Sequence, residues 1–266
     1  TELNLEKLKF EGTAGQLWRN DFDKLLQYNK RDIEILIKLD NKMKILSFID
    51  ELRRISNCSF KECLHSSFMF DSFLLTQMNG KVIFETRTKK KEDIKFEGAI
   101  VVNPTKGLHH NIINIDLKSL YPSIIISLNM SPETLKNDGG YIVGNGVRFT
   151  SEFEGIIPKL EKLLWKLRDE KKEEIKKENN ENMKEVLDRQ QYCIKVLMNV
   201  IYGQTAFPKS RIYCMKIAES ITYIGRKILT ASINKLKEQG YEVIYGDTDG
   251  IFLKVKENTN IKELVK

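Results

Sequence analysis

The chain has 266 residues, of which 41% are hydrophobic and 30% are charged. This length and composition exclude a disulfide-stapled miniprotein and a compositionally disordered chain, and they are typical of one large globular domain or two modest ones. The 44 basic residues outnumber the 37 acidic residues, which gives a formal net charge of +7 and favours polyanionic partners.

The ends and the hydropathy of the chain favour a cytoplasmic protein without membrane contact. The longest apolar stretch, around Ile124–Ile126, is far shorter than the roughly 18 residues of a membrane span. The first residues, Thr1 to Asn4, include neither an initiator methionine nor a signal-peptide core. We therefore expect a piece of a longer cytoplasmic chain.

The amino-terminal half is predicted to be helical first and irregular afterwards. From Asp21 to about Leu52, apolar residues recur mostly at three- and four-residue steps, which is the period of a helix. Residues 57–95 alternate short apolar patches with the basic run Lys89–Lys91. We expect irregular connecting structure there.

Two β-branched runs follow, Ala99–Val102 and Asn111–Leu117. The turn residues Pro104–Gly107 separate them, so the pattern predicts a strand pair. The second strand of this pair ends at Asp116.

The carboxyl-terminal half predicts a helical hairpin, a further helix and a β-hairpin. Pro158 suits the first turn of a helix, and apolar residues at helical spacing continue after it. A second helix with matching spacing follows the polar segment 178–182 and completes a helical hairpin. A helix from about Tyr213 to Glu238 leads to Tyr241–Tyr245 and Ile251–Val255, two strands that flank the turn Gly246–Gly250.

Three aspartates lie at strand ends in this scheme. Asp247 and Asp249 are two residues apart in the hairpin turn, and both carboxylates can project from one edge. Hard divalent cations such as Mg²⁺ prefer such oxygen ligands, although Asp-Thr-Asp-Gly is also ordinary solvated turn chemistry. Asp116 ends a buried-looking strand, where an unpaired carboxylate is costly to desolvate, so a shared metal site is the sharper alternative.

The residues after Asp116 carry a specific likeness. Residues 116–125 read D-L-K-S-L-Y-P-S-I-I, which resembles the first palm motif of family B DNA polymerases. Residues 195–203 read K-V-L-M-N-V-I-Y-G and resemble the fingers-helix pattern K-x-x-x-N-S-x-Y-G, with valine at the usual small or hydroxylated position. Residues 245–249 read Y-G-D-T-D and resemble the palm hairpin motif. Three long motifs in the family's order make a chance match improbable.

The resemblance implies a catalytic metal site. Asp116 and Asp249 would bridge two Mg²⁺ ions, with Asp247 in a supporting catalytic role and the Leu117 carbonyl as a further ligand. A primer 3′-hydroxyl would attack the α-phosphorus of a deoxynucleoside triphosphate (dNTP), and pyrophosphate would leave.

The resemblance also implies a nucleotide site. Ser119 and Leu120 would offer backbone N–H groups to the triphosphate, and Tyr121 would pack under the sugar and exclude a 2′-hydroxyl. Spacing places the remaining candidates on shared helix faces, because residues four apart are neighbours on a helix. They are Lys195, Asn199 and Tyr202 on one helix, and Arg168 and Lys172, with Lys171 as an alternative to Lys172, on the preceding helix. For so charged a helix a plain solvated face is the competing interpretation.

Shorter likenesses lie outside these motifs. Tyr28 and Asp32 match the Y-x-x-x-D motif of the family's 3′–5′ proofreading exonuclease, although a plain amphipathic helix explains them nearly as well. Residues 96–99, F-E-G-A, resemble the Y-x-G-G/A element that contacts template strand, which makes Phe96 and Gly98 template-binding candidates. Residues 131–134, S-P-E-T, resemble T-even-type phage polymerases and favour a viral origin.

The fold expected from the resemblance is α+β, with an antiparallel palm sheet backed by helices and a helical-hairpin fingers subdomain. We expect an exonuclease tail at 1–52, a connecting region at 53–110, palm at 111–157, fingers at 158–204 and palm again at 205–266. The family's first exonuclease motifs and its thumb would lie outside this chain.

The predicted function is that of a DNA-directed DNA polymerase core that takes primer-template DNA and dNTPs and is part of a longer or split replicative enzyme. The rest of that chain, or a second polypeptide, would supply the thumb. One alternative is a non-catalytic nucleic-acid-binding or assembly fragment that needs a partner subunit. Another is a metal-dependent nuclease built on the same aspartates, which would leave the Lys195–Tyr202 face unexplained.

Overall fold

The computed structural model describes residues 6–86 and 96–256. Its amino-terminal part begins with α1 (Ala14–Asn20), which precedes the predicted helical region. The prediction of helix from Asp21 is confirmed by α2 (Phe22–Met43) and α3 (Ile45–Ser56). The predicted continuous helix is interrupted at Lys44, which adopts a left-handed conformation with φ 53° between α2 and α3. No helix in the described ranges combines the length and apolarity needed to cross a membrane.

The prediction of irregular structure after residue 57 is wrong for its first part. Two helices occupy it, α4 from Phe60 to Cys63 and α5 from Ser66 to Met78. A capping box formed by Ser59 and Glu62 starts α4. Helix α5 buries one face in the core, where Phe70 and Phe73 are fully covered. Apolar residues also occupy its exposed side, at Phe68 and Leu75, so the helical stripe is blurred in the sequence.

The strands in residues 6–86 and 96–256 form two antiparallel sheets. The strands are β1 (Val101–Val102), β2 (Ile112–Asp116), β3 (Leu135–Lys136), β4 (Tyr141–Ile142), β5 (Arg148–Phe149), β6 (Glu242–Asp247) and β7 (Gly250–Lys254). The larger sheet has the order β1-β6-β7-β2, and the smaller has the order β3-β5-β4. The predicted hairpin of β6 and β7 is confirmed, with Asp247 opposite Gly250 at its tip.

The predicted pairing of the two strands before and after Pro104 is wrong. Strand β1 pairs with β6 and strand β2 pairs with β7, so β1 and β2 lie at opposite edges of the larger sheet. The hairpin from the far end of the chain inserts between them. This insertion places Asp116 beside the tip of that hairpin.

Of four further helices, the last packs on the larger sheet and two form the helical hairpin. They are α6 (Leu120–Ser127), α7 (Ile156–Lys177), α8 (Glu181–Ala206) and α9 (Met215–Glu238). Helices α7 and α8 pack against each other as the predicted hairpin. One core cluster contains residues from each of the helices α5, α6, α7, α8 and α9, among them Phe70, Ile125, Leu164 and Leu197. A second cluster lies between α9 and the larger sheet. Helix α6, directly after β2, is therefore fixed against α7, α8 and α9.

The first turn of α7 is held by the loop after α6. Asn129 accepts a hydrogen bond from the Gly155 N–H at 2.8 Å, and the Ser131 hydroxyl accepts one from the Ile157 N–H at 3.2 Å. The Glu133 carboxylate accepts a bond from the Ile156 N–H. These are three of the N–H groups that a helix start leaves unpaired. The loop therefore fixes where the helical hairpin leaves the sheet region.

Candidate active site

Asp116 and Asp249 lie beside each other at one end of the paired strands β2 and β7. We call this end of the larger sheet the sheet edge. Strands β2 and β7 pair so that Asp116 faces Gly250, and the Leu117 N–H donates to the Asp249 carbonyl at 2.7 Å. Partial burial raises the pKa of Asp249, and the negative charge of Asp116 raises that pKa further. Two carboxylates that repel each other in this way form a setting that favours a bound cation.

Asp247, at the same hairpin tip, makes side-chain hydrogen bonds within the turn. Its carboxylate accepts hydrogen bonds from the Tyr245 hydroxyl at 3.1 Å and from the Thr248 hydroxyl at 2.9 Å. Thr248, with φ 53°, forms the turn, and its N–H donates to the Ile100 carbonyl at 3.1 Å. Asp247 is thus held by hydrogen bonds within the turn, and its negative charge also helps to raise the pKa of Asp249.

The described residues contain no group of three or more acidic, cysteine or histidine side chains placed to hold one metal ion. The donor set at the sheet edge is instead a carboxylate pair with backbone oxygens close by. Mg²⁺ commonly binds to one or two carboxylates and completes its shell with water and substrate phosphates. The Asp116 and Asp249 pair fits that mode of binding.

The loop between β2 and α6 brings backbone and an aromatic ring to the same place. Ser119 adopts a left-handed conformation with φ 52° immediately before α6 begins at Leu120, which is buried. The Tyr121 ring lies 4.6 Å from the Tyr202 ring of α8, centroid to centroid. Burial, followed by the effect of Tyr202, raises the pKa of Tyr121 to about 12, so its phenol is neutral at physiological pH.

Basic side chains of the helical hairpin converge near this loop. Lys195 and Asn199 are exposed on α8, and Arg168 of α7 donates to the Gln191 side chain of α8 at 3.1 Å. Burial lowers the pKa of Lys172, and the positive charges of Arg168, Lys118 and Lys195 lower it further. These cations are therefore close enough to repel one another.

Lys171 and Lys172, the two alternatives on α7, differ in their acidic partners. Lys171 forms an ion pair with Glu174 at 2.7 Å. Lys172 has no carboxylate within ion-pair distance among the described residues. Lys171 thus has an acidic partner within ion-pair distance, whereas the acidic neighbour that acts on Lys172, Asp169, lies beyond that distance.

Two basic residues near the site were missed by sequence reasoning. Lys118 lies inside the 116–125 motif, and its Nζ is 5.8 Å from the centroid of the Trp165 ring on α7. Arg226 of α9 forms an ion pair with Glu97 at 3.0 Å. No spacing signal marked either residue, since each contact joins segments far apart in the sequence.

Arg226 also anchors the predicted template segment. It donates to the Glu97 carbonyl at 2.7 Å and to the Gly98 carbonyl at 2.6 Å, and the Thr222 hydroxyl donates to the Glu97 carbonyl at 2.9 Å. Phe96, which is half-buried, begins this segment. Residues 96–98 are therefore held on α9, the helix that also contacts α6.

Tyr28 and Asp32, the predicted exonuclease residues, contact the segment that precedes α1. Tyr28 makes an edge-to-face contact with Phe10 at 4.9 Å, and Asp32 forms an ion pair with Lys7 at 3.7 Å. Both contacts join α2 to the segment before α1. In the described ranges Asp32 belongs to no group of metal-type ligands.

Comparisons with known proteins agree with the motifs. The model of DNA polymerase family B matches residues 53–266. DNA polymerase 1 of Pyrococcus abyssi is 40% identical over 161 residues, which cover 59% of this chain and 21% of that protein. DNA polymerase 1 of Sulfurisphaera ohwakuensis is 28% identical over 303 residues, which cover 99% of this chain and 33% of that protein.

A solved structure has the same fold. The family B DNA polymerase of the archaeon Pyrobaculum calidifontis matches 98% of this chain and 35% of its own length, with 28% identity and a TM-score of 0.80. This match confirms the α+β fold with antiparallel sheets and helices. These relatives are archaeal, and the likeness to phage polymerases stays a prediction. Since the family model covers well over half of the sequence, the chain belongs to DNA polymerase family B.

Proposed function

We propose that this chain is the nucleotidyl-transfer core of a DNA-directed DNA polymerase, extending a primer with dNTPs opposite a template. The observation that carries the proposal is the juxtaposition of Asp116 and Asp249 on adjacent strands, next to a loop whose Tyr121 contacts Tyr202 of the helical hairpin. The carboxylates that would bind metal, the ring that would contact the sugar and the cations that would bind phosphate would then surround one space. The chain spans between about a fifth and a third of the length of its relatives, so activity of the whole enzyme is part of the proposal.

Asp116 and Asp249 would hold two Mg²⁺ ions, together with the Leu117 carbonyl. When bound, these ions supply charge stabilisation for the attacking and leaving oxygens of an in-line phosphoryl transfer. The mutual repulsion of the two carboxylates supports this assignment, because a cation between them removes it. Asp247 would act from the turn, where its hydrogen bonds to Tyr245 and Thr248 fix the geometry of the hairpin tip.

The nucleotide would lie between the loop after β2 and the helical hairpin. Backbone N–H groups of Ser119 and Leu120, together with Arg168, Lys172 and Lys195, would bind the triphosphate. Asn199 and Tyr202 would line the same face of α8. Tyr121 would lie under the deoxyribose, and a 2′-hydroxyl would meet its ring.

The template strand would pass Phe96 and Gly98, which Arg226 holds on α9. Residues 111–157 and 205–266 would form the palm, and residues 158–204 would form the fingers. Residues 1–52 would be the tail of an exonuclease domain, with Tyr28 and Asp32 as its remnants, and 53–110 would lead into the palm. The remainder of a longer chain, or a second polypeptide, would supply a thumb to grip primer-template DNA.

Primer extension tests the proposal directly. The chain is mixed with a labelled primer-template, dNTPs and Mg²⁺, and addition of the first nucleotide is followed under single-turnover conditions. We expect the Asp249→Asn variant to lose at least about a hundredfold in rate, since it removes a metal ligand, while Asp138→Asn, in an exposed loop, keeps the wild-type rate. Equal extension by the Asp249→Asn variant would refute the assignment, and primer shortening without dNTPs would indicate a nuclease.

A further inference from the structure

Basic residues around the helical hairpin are of two kinds, those with an acidic side chain within ion-pair distance and those without one among the described residues. In the first group, four lysines of α7 each have an acidic partner within 4 Å: Lys162 with Glu154, Lys166 with Glu170, Lys171 with Glu174 and Lys176 with Glu173. These pairs are the expected pattern of a solvated helix.

The second group has no such partners in the described part of the chain. Arg168, Lys172 and Lys195 form no ion pair there, and neither does Lys118. Lys118 is the member that lies outside the hairpin, in the loop between Asp116 and α6. Beyond the effect of burial, Arg168 and Lys118 each lower the pKa of Lys172 by more than the nearby carboxylate of Asp169 raises it, so these like charges repel one another. A bound polyanion would relieve that repulsion.

The position of Lys118 links the sheet edge to α7. It lies two residues after Asp116, and its ammonium group is 5.8 Å from the centroid of the Trp165 ring. Trp165 precedes Arg168 by three residues, which is about one helical turn. The ring therefore holds Lys118 close to the side of α7 that carries Arg168 and Lys172, at the energy of a weak cation–π contact.

We propose that Lys118 is a further triphosphate-binding residue and that it exchanges its contact with Trp165 for a phosphate oxygen when a nucleotide binds. This inference rests on the proposed function, because it concerns the same nucleotide site. Three cations come from the helical hairpin and one from the loop that carries Asp116. Bound triphosphate would then join the hairpin to the sheet edge through charge on both sides.

The test uses inorganic tripolyphosphate without metal as the probe, at low ionic strength, with affinity measured by calorimetry. We expect Lys118→Ala to weaken binding about tenfold, as for the loss of one charge-assisted hydrogen bond. Lys118→Arg should restore most of the affinity. Lys166→Ala, which removes an exposed and paired lysine of α7, should change the affinity less than about twofold.

A second readout locates the change. The chain has two tryptophans, so in a Trp18→Phe background the fluorescence reports Trp165 alone. We expect tripolyphosphate to alter this fluorescence when Lys118 is present and to leave it nearly unchanged in the Lys118→Ala variant. An identical fluorescence response in both would overturn the proposed exchange.

The outcomes distinguish a failure of this inference from a failure of the proposed function on which it rests. If Lys195→Ala weakens binding while Lys118→Ala does not, the nucleotide site stands and the role of Lys118 is refuted. If neither variant affects binding, the proposed nucleotide site itself fails. If tripolyphosphate is displaced by single-stranded DNA and the Lys118 variant loses affinity for DNA alone, Lys118 contacts nucleic acid, and the inference is wrong.

Discussion

The Tyr121 ring packs against the backbone of Gly225 as well as against the Tyr202 ring. A Cβ added at Gly225 of α9 would lie 3.0 Å from a carbon of the Tyr121 ring, whereas a Cβ at Gly203 of α8 would meet nothing within 4 Å. We expect Gly225→Ala to destabilise the fold by about 1 kcal/mol, because overpacking exceeds the gain in helix propensity. Gly203→Ala should stabilise it by about 0.5–1 kcal/mol.

Urea unfolding of both variants measures this difference. Equal stabilisation by the two alanines would show that the Tyr121 ring is free to move away from α9. The proposed exclusion of ribonucleotides by Tyr121 would then lose its structural basis, since a mobile ring cannot reject a hydroxyl group by contact.

Glu161 of α7 is a buried carboxyl group that has no hydrogen-bond partner among the residues that the structure describes. Burial raises its pKa well above the usual value, so it is protonated in the folded chain under conditions where the unfolded chain ionises it. The unfolded state therefore binds fewer protons, and stability falls as the pH rises above about 4.5 until the pH reaches the folded pKa.

The Glu161→Gln variant should lose this pH dependence. Across the window its stability relative to wild type should grow by about 1.4 kcal/mol per pH unit, as measured by thermal or urea unfolding from pH 4 to pH 8. Glu170→Gln, at an exposed position, is the control and should follow the wild-type curve. Parallel curves for Glu161→Gln and wild type would contradict a buried, neutral Glu161.

The sequence predicted which residues are candidates for the site better than it predicted the contacts that each of them makes. The 116–125 and 245–249 motifs identified Asp116 and Asp249, which the structure brings to adjacent strands. Spacing alone could not choose between Lys171 and Lys172, because each has an acidic residue three positions away, Glu174 and Asp169, and only the side-chain geometry shows that Lys171 forms the ion pair. Lys118 was missed because its contact with Trp165 joins two segments 47 residues apart, beyond the reach of helical periodicity.

At the scale of elements, the start of α7 depends on a loop that is remote in sequence. The buried Ser131 hydroxyl accepts from the Ile157 N–H and donates to the Glu133 carboxylate at 2.8 Å. We expect Ser131→Ala to cost about 1–2 kcal/mol, as for other lost helix caps. Ser127→Ala, at the exposed end of α6, should stay within about 0.5 kcal/mol of wild type.

Chemical denaturation checks the stability, and hydrogen exchange of the first turn of α7 checks the mechanism. Faster exchange at residues 156–159 in the Ser131→Ala variant is the expected signature of a frayed helix start. Unchanged exchange there, with lowered global stability, would mean that Ser131 acts through packing alone.

Elements with an amphipathic stripe were predicted well, and the others were not. Helices α7, α8 and α9 each bury one face, so a period of 3.6 residues marks them. Helix α5 has apolar residues on its exposed side as well as its buried face, so the signal there is blurred. Strand β1 has two residues, and its pairing with β6 depends on a segment more than 140 residues later, which local turn residues cannot reveal.

At the scale of the whole molecule, the chain corresponds to part of its relatives. It matches 33% of the Sulfurisphaera polymerase and 35% of the Pyrobaculum structure. Family and fold follow from motifs and comparisons together, whereas the binding of DNA, dNTPs and metal remains a proposal. Motifs identify a family because they constrain the site, but they carry no information on the polypeptide needed to grip a duplex.

The central claim is that Asp116 and Asp249 form one metal and nucleotide centre, and counting bound Mn²⁺ by electron paramagnetic resonance tests it most directly. With a non-hydrolysable dNTP and primer-template DNA, we predict about two ions per chain. Asp249→Asn should lose at least one of them, while Asp138→Asn keeps both. Unchanged Mn²⁺ binding in Asp116→Asn and Asp249→Asn would contradict the claim.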